Sequence, residues 1–370
     1  MFYEGKRSGQ YLEQISRHPE EKTMLIRDAL GSDEIPRDKD GKITILELGI
    51  GGGESLKLMS EQAPDGVSII GVDLIPELAH HSSNELGIPS VVADVAHLPF
   101  RENSISAVNA SAIFHEVSSY GIKKDDGRIF GLDAVKYTMA QIQNILLPGG
   151  LLAYRDVALT TKYLKSEKGV RYSSESWKKF IDWFLPEFLS SGPQMYDKEL
   201  VRIQPYGGGV AITAPVGLHR EIQRHYLMLR DYVKTVDGDS DADAAIASAL
   251  SSDQPGDQFI NPWKEREGKE WYVYGTPTEV ILAGKNSQGT DANEVLFPSD
   301  ATRVQLIPRA NSNQYLQEFI DYPEFDGKLV VGFNKMSAQK AKEIVNDVFT
   351  DECSASEFVD CEQIRSVFKE

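Results

Sequence analysis

The sequence predicts an α/β protein built on a parallel sheet, and three observations lead there. Ile45 to Leu48 is an apolar stretch, broken only by Glu47, that runs straight into Gly49, Gly51 and Gly53; this is how a buried strand enters a glycine turn. Val67 to Asp73 is a second apolar strand, closed by an acid. From Lys42 to Asp156 strand-like runs alternate with helix-like spacing, the pattern of βαβ crossovers.

Taken in order, Tyr11 to Leu30 shows helical spacing in two pieces, Leu12 with Ile15 and Ile26 with Leu30, parted by His18-Pro19. Two short helices are expected ahead of the first strand, then a polar loop from Gly31 to Gly41. Glycines after that strand can take positive φ and admit a ligand to the backbone, while a helix starting near Glu54 aims its free N–H groups at it. A dinucleotide fingerprint needs its last glycine where this chain has Glu54, so NAD is disfavoured. Asp73 then stands at the tip of the second strand, where open α/β folds hold ribose hydroxyls. Ser90 to Val95 reads as the third strand, Ile105 to Ile113 as the fourth, and Pro148-Gly149-Gly150 as a turn into a fifth that ends near Asp156.

The pattern Glu47-x-Gly49-x-Gly51-x-Gly53 resembles in full the first motif of class I S-adenosylmethionine (SAM)-dependent methyltransferases, and the later signatures follow in that family's order. The resemblance implies a Rossmann-like, seven-stranded, mostly parallel sheet with helices on both faces. It also implies SAM as cofactor, leaving as S-adenosylhomocysteine (SAH). On the family pattern Glu47 orders the glycine turn and the methionine end of SAM, with Gly49, Gly51 and Gly53 forming the turn. Asp73, with Leu74 behind it, takes the ribose, Asp94 and Val95 the adenine, and Asn109 and Ser111 lie on the strand beneath the methionine portion.

After Asp156 the rhythm changes, and a large, mainly helical insertion is expected after strand five. Trp177 to Leu185 reads as an aromatic helix ended by Pro186, Tyr206 to Val210 as a flexible turn with a possible hinge at Gly207 to Gly209, and His219 to Val233 as another helix. Glu270 to Tyr274 is strand-like, and Thr276 with Glu279 forms a capping box. Arg303 to Ile307 and Lys328 to Phe333 are the closing strands. The expected division is a helical cap over 1–41, the SAM-binding core over 42–156, a lid for substrate recognition over 157–288, the closing strands over 289–336 and an acidic tail over 337–370 with one helix from Ser337 to Phe349.

Composition narrows the partners. With 56 acids against 39 bases and a net charge of −17, the chain is poorly suited to the phosphate neutralisation that binds nucleic acid. No apolar run reaches membrane-spanning length, and Cys353 and Cys361 read as reduced thiols of a cytoplasmic protein. A small-molecule acceptor, methylated on O or N, is therefore expected. An RNA or protein acceptor, and a SAM-binding role in regulation or cyclisation without methyl transfer, stay open as alternatives.

His115 and Glu116 follow strand four at the edge where ligands lie, so they are the candidate catalytic pair, with His115 the natural base. Tyr120, Trp177, Trp183 and Tyr206 are candidates to line an acceptor site. Asp156 raises a metal possibility, but strand four supplies no second acid there and no metal is expected. Glu221 and His225 read as a surface ion pair, and His80-His81 as a helix flank.

Overall fold

The structure is a computed structural model that describes residues 18–125, 127–159, 166–193, 195–237, 241–251, 260–290, 293–298, 304–308, 326–340 and 343. Outside them lie the first leader helix at Leu12 and Ile15, most of the tail helix and both cysteines.

The elements run α1 (Pro19–Gly31), β1 (Ile43–Leu48), α2 (Glu54–Gln62), β2 (Val67–Asp73), α3 (Pro76–Asn84), β3 (Ser90–Val92), β4 (Ile105–Ser111), α4 (Phe114–Tyr120), β5 (Ile122–Lys124), β6 (Gly127–Ile129), α5 (Gly131–Ile145) and β7 (Leu146–Leu159). The inserted region follows with β8 (Glu167–Tyr172), α6 (Glu175–Phe188), β9 (Arg202–Tyr206), β10 (Gly209–Pro215), α7 (Val216–Asp237), α8 (Ala242–Ala249) and α9 (Ile260–Arg266). Helix α10 (Pro277–Lys285) and strands β11 (Glu294–Pro298), β12 (Val304–Pro308) and β13 (Asp326–Ser337) close the chain.

The main sheet has the order β3-β2-β1-β4-β7-β13, with β11 and β12 both paired to β13. Pairing is parallel from β3 through β7, and β13 lies antiparallel to β7. Because β7 occupies one edge of β13, β11 meets Phe333–Ser337 and β12 meets Gly327–Val331 along the other edge, end to end. The seventh lane is thus shared by two strands, where the sequence suggested one. The architecture is Rossmann-like, as expected.

Alternation along the strands feeds two cores. Leu46, Val108, Leu152, Tyr154 and Phe333 point to one face and meet α5 and α10, while Ile45, Ala107, Leu151, Ala153 and Val330 point to the other and meet α1 and α2. Each fully buried Ile or Phe here contributes roughly 1.5–3 kcal/mol of transfer free energy. Helix α10, placed by the sequence reading inside the insertion, buries Val280 and Ile281 in the sheet's own core. Thr276 caps it with Glu279 in the reciprocal capping box that the spacing predicts.

The insertion is less helical than its sequence suggests. Strands β8, β10 and β9 form an antiparallel sheet of their own. Gly207-Gly208 is the two-residue turn between β9 and β10, with Gly207 at φ 56°, so the proposed hinge is a hairpin turn. A Cβ on Gly209 would sit 1.9 Å from the Tyr172 carbonyl oxygen, which fixes glycine there. Helix α6 continues through Pro186 to Phe188 instead of ending before it. Glu270 to Tyr274 forms no strand; it is a buried segment in which Glu270 N donates to the Glu267 carbonyl while two further N–H groups meet side chains, Trp271 N donating to Ser119 Oγ at 2.6 Å and Val273 N to Glu221 Oε1 at 2.7 Å.

Candidate active site

The glycine turn leaves β1 with Gly49, Gly51 and Gly53 at φ 76°, 54° and 86°, conformations that side chains resist. A Cβ at Gly53 would also press on Leu86 Cδ1 at 2.7 Å. Asp73 holds the turn in place: Ile50 N donates to its Oδ2 at 2.8 Å and Ile75 N to its Oδ1 at 2.9 Å. Burial raises its pKa while these N–H donors oppose the rise. Gly51 and Leu74 N–H groups also bear on this carboxylate, so a ribose hydroxyl would share its roughly four lone-pair sites with the donors that order the loop.

That ordering role was expected of Glu47, and the structure places Glu47 differently. Its side chain is buried under the turn, where Asn109 Nδ2 donates to Oε2 at 2.7 Å and also to the Lys22 carbonyl at 3.1 Å. Burial pushes Glu47 up to about 8, against the pull of Asn109 and Lys22. Asp94 accepts from Ala96 N at 2.8 Å and is half exposed, beside His97. Val95 packs half-buried against the core, and Leu74 is 68% exposed next to Asp73. Ser111 Oγ accepts from Arg155 Nη1 at 3.1 Å; the same guanidinium donates to Glu21, tying α1 to the C-terminal end of β7.

At that same sheet edge His115 and Asp156 form a buried dyad. Asp156 lies on β7 just beyond its parallel pairing with β4, which ends at Arg155, while β7 itself runs on to Leu159; His115 opens α4, and His115 Nδ1 lies 2.9 Å from Asp156 Oδ1 while the His115 backbone N–H donates to Asp156 Oδ2 at 2.9 Å. The carboxylate acceptors orient the ring with its Nδ1 proton toward Asp156, which turns Nε2 toward Glu270 of the insertion. Tyr274 donates to Asp156 at 3.5 Å and is itself hydrogen-bonded to Tyr154. Burial opposes charge on His115, but the Asp156 carboxylate outweighs it and lifts the imidazole above its ordinary value. Asp156 is correspondingly lowered, its burial overcome by His115 and by N–H donors.

Residues 46–154 match the family described as methyltransferase domain. Over that stretch the chain is similar to a methyltransferase domain. Its glycine turn, the acid at the β2 tip and exposed Leu74 fit SAM, because positive φ at three glycines leaves the backbone open to a ligand. Among proteins of curated function none matches the chain. Solved structures similar to it include a SAM-dependent methyltransferase from Methanosarcina mazei, at 12% identity, 83% of this chain, 96% of that one and a TM-score of 0.36. A second is the Burkholderia thailandensis 1,6-didemethyltoxoflavin-N1-methyltransferase, with its substrate and SAH bound, at 12%, 89%, 83% and 0.36. A third is a chain of the Haloferax volcanii complex between the Trm112 methyltransferase activator and a methyltransferase, at 20%, 40%, 59% and 0.29. This chain therefore spans about three fifths of the Haloferax protein.

Glu116 and Tyr120 join His115 on α4. Burial raises Glu116 to about 7; His115 opposes, and the charges of Glu267, Asp73 and Asp156 add to the rise. Glu116 thus lies within electrostatic reach of both the glycine-turn acid and the dyad. The other aromatic candidates lie elsewhere. Trp177 stacks on Tyr226 with centroids 3.7 Å apart, and Trp183 packs on Trp263 at 6.2 Å, both in the insertion's own core. Tyr206 is exposed on β9 under the Arg171 guanidinium, 4.7 Å from its ring. Glu221 and His225, expected on the surface, are fully buried, with His225 Nδ1 2.7 Å from the Glu221 carbonyl. His81 pairs with Glu85 at 3.3 Å on the flank of α3, and among the described residues no group of three or more His, Cys, Asp or Glu is placed to hold a metal.

Sequence reasoning missed the insertion's contribution. Glu270 Oε2 stands 3.7 Å from His115 Nε2, and the Tyr272 ring lies 4.8 Å from the imidazole. The only cue was two acids, Glu267 and Glu270, beside the aromatic run Trp271-Tyr272-Val273-Tyr274. No spacing in the chain links that run to His115.

Proposed function

We propose that the protein transfers the methyl group of SAM to an O or N atom of a small-molecule acceptor held at the outer side of the His115 ring. The observation that supports it is the His115–Asp156 dyad at the same sheet edge as the glycine turn. SAM supplies a sulfonium-bound methyl group for in-line displacement, and the chain's task is to place the acceptor and manage its proton. Asp156 holds the imidazole in the Nδ1–H form and stabilises its charge, and His115 Nε2 takes the proton that the acceptor sheds. Glu47 and Asn109 serve the methionine end, Asp73 with Leu74 beside it the ribose, and Asp94 and Val95 the adenine. The insertion covers the edge with Glu270 and Tyr272 and keeps water from the reacting atoms.

No helix among the described residues is long and apolar enough to cross a membrane, and a cytoplasmic location belongs to this reading. The test is incubation of the full chain with methyl-labelled SAM and a small-metabolite extract. Label should pass to a low-molecular-weight product, and His115→Gln should abolish transfer while SAH still binds. Label found only in RNA or protein would move the acceptor class, and SAH binding without any labelled product would remove transferase chemistry.

A further inference from the structure

The wall that faces His115 is unusually rich in acid for a buried surface. Glu116 comes from α4, Asp156 from β7, and Glu267 and Glu270 from the insertion; Glu221 reaches in from α7, where its charge acts on His115. Against them, among the described residues, stand the imidazole and the Arg224 guanidinium, 4.8 Å from the Tyr272 ring centroid. The geometry shows a shortage of positive charge directly. Tyr272 Oη lies 2.7 Å from Glu267 Oε2 and 2.8 Å from Glu270 Oε2, yet one hydroxyl has one proton to give. Tyr120 donates to the other oxygen of Glu270 at 3.2 Å. Two carboxylates cannot share one hydroxyl proton unless another proton is taken up, and burial together with Glu267 and Glu116 does raise Glu270 well above the ordinary range.

A second observation points to a missing partner. Glu221 Oε2 and Tyr196 Oη are buried polar atoms with no hydrogen-bond partner, the former with only His225 Nδ1 beside it at 3.7 Å, although Glu221 Oε1 is fixed by Val273 N and Tyr196 lies within the field of Glu221. Unsatisfied polar atoms of this kind cost about 1–3 kcal/mol each. The wall is also reachable, since Glu116 is half-buried and Tyr120 is 39% exposed.

We propose that this wall recognises the acceptor as an organic cation, a primary or secondary ammonium hydrogen-bonded to Glu270 and flanked by Glu116, Tyr120 and Tyr272. The proposal rests on the methyltransferase reading and names the acceptor class for it. An ammonium replaces the extra proton that the carboxyls otherwise need, and aromatic rings beside it add cation–π attraction. A nitrogen seated on Glu270 Oε2 is also beside His115 Nε2, given their 3.7 Å separation. The ammonium N–H bond breaks with its proton passing to Nε2. The freed lone pair then forms the N–CH3 bond while the S–CH3 bond breaks and its electron pair stays on sulfur, so N-methylammonium and SAH result. Carboxylic acids, which would bind as anions against this wall, are disfavoured.

The test uses the full chain saturated with SAH and titrated with phenethylamine, benzylamine and n-hexylamine, each against its matched alcohol and carboxylate, by calorimetry. The amines should bind at least about tenfold more tightly than the alcohols at pH 7.5, roughly 1.4 kcal/mol. Binding should also release protons, read as a heat that depends on the buffer's ionisation enthalpy. Glu270→Gln and, separately, Glu116→Gln should erase most of the preference while SAH affinity changes less than about twofold. Equal binding of alcohols, preference for carboxylates, no binding by any probe, or an unchanged preference in both variants would overturn the proposal. A large loss of SAH affinity in Glu270→Gln would overturn it too, by assigning the wall to SAM's own charges. If SAH itself fails to bind the unaltered protein, the methyltransferase reading falls first.

Discussion

Replacing Glu47 by glutamine tests whether a neutral carboxyl really lies beneath the glycine turn. The carboxyl rises from its ordinary 4.5 to about 8 on folding, chiefly because it is buried, with Asn109 and Lys22 only partly offsetting the cost. A group whose folded pKa is raised contributes its full stability below the unfolded value and loses it as pH climbs through the folded one. Across the interval from 4.5 to 8, at roughly 1.4 kcal/mol per pH unit, ionisation of Glu47 costs the fold up to about 5 kcal/mol. Glutamine carries no charge at any pH, and its amide oxygen can still accept from Asn109 Nδ2. Urea unfolding of the two proteins should therefore agree to within about 1 kcal/mol at pH 5, the allowance for one new amide N–H to satisfy. By pH 8.5 the variant should be the more stable by several kcal/mol. A difference that stays constant from pH 5 to 9 would refute the reasoning, since it would mean that Glu47 is ionised throughout. SAH titrations on the same samples separate this structural effect from any role at the methionine end.

Asp156→Asn should slow methyl transfer by about two to four orders of magnitude and move the acidic limb of the pH–rate profile to lower pH, because burial of His115 would then lack the carboxylate that outweighs it. Labelled transfer measured from pH 5 to 9 checks both, and an unmoved limb would remove His115 as the titrating base. Gly51→Arg, at a position with φ 54°, should weaken SAH binding by at least about a hundredfold in calorimetry, near 2.7 kcal/mol; unchanged affinity would void the ligand assignment. His219 is held neutral, with Tyr172 donating to Nδ1 and Nε2 donating to the Lys168 carbonyl, and burial lowers it to about 4. Its contribution is complete above pH 6.5 and is lost as pH falls toward 4, roughly 3 kcal/mol over the interval. His219→Gln should therefore flatten the stability–pH curve there by about one proton, as measured by urea midpoints; an unchanged slope would show that His219 does not titrate in this range.

Much of the sheet was legible in the sequence because the evidence for it is local. A parallel strand buried on both faces is a short apolar run, and a turn that must take positive φ shows itself as Gly49, Gly51 and Gly53. The capping box at Thr276 and Glu279 was legible for the same reason, since both hydrogen bonds close within one helical turn. The insertion was harder. Its aromatics at helical spacing look alike whether they line an acceptor or pack on one another, and Trp177 against Tyr226 proved to be packing. Strand β8 pairs with β10 across tens of residues, and Glu270 to Tyr274 has the composition of a strand but meets N–H groups of Trp271 and Val273 through Ser119 and Glu221.

The sequence by itself determined the Rossmann-like core, the glycine turn and the position of His115 at the sheet edge, because each depends on neighbours a few residues away. Tertiary structure alone decided what His115 faces. Asp156 lies 41 residues along the chain and reaches its Nδ1, and Glu270, further still, stands by its Nε2. Which carboxyl meets which nitrogen depends on how the insertion folds back over the sheet, a matter of long-range packing that no local pattern encodes. The same packing gave the loop-ordering role to Asp73 in place of Glu47, since only the juxtaposition of β1 and β2 brings the Ile50 N–H to that carboxylate.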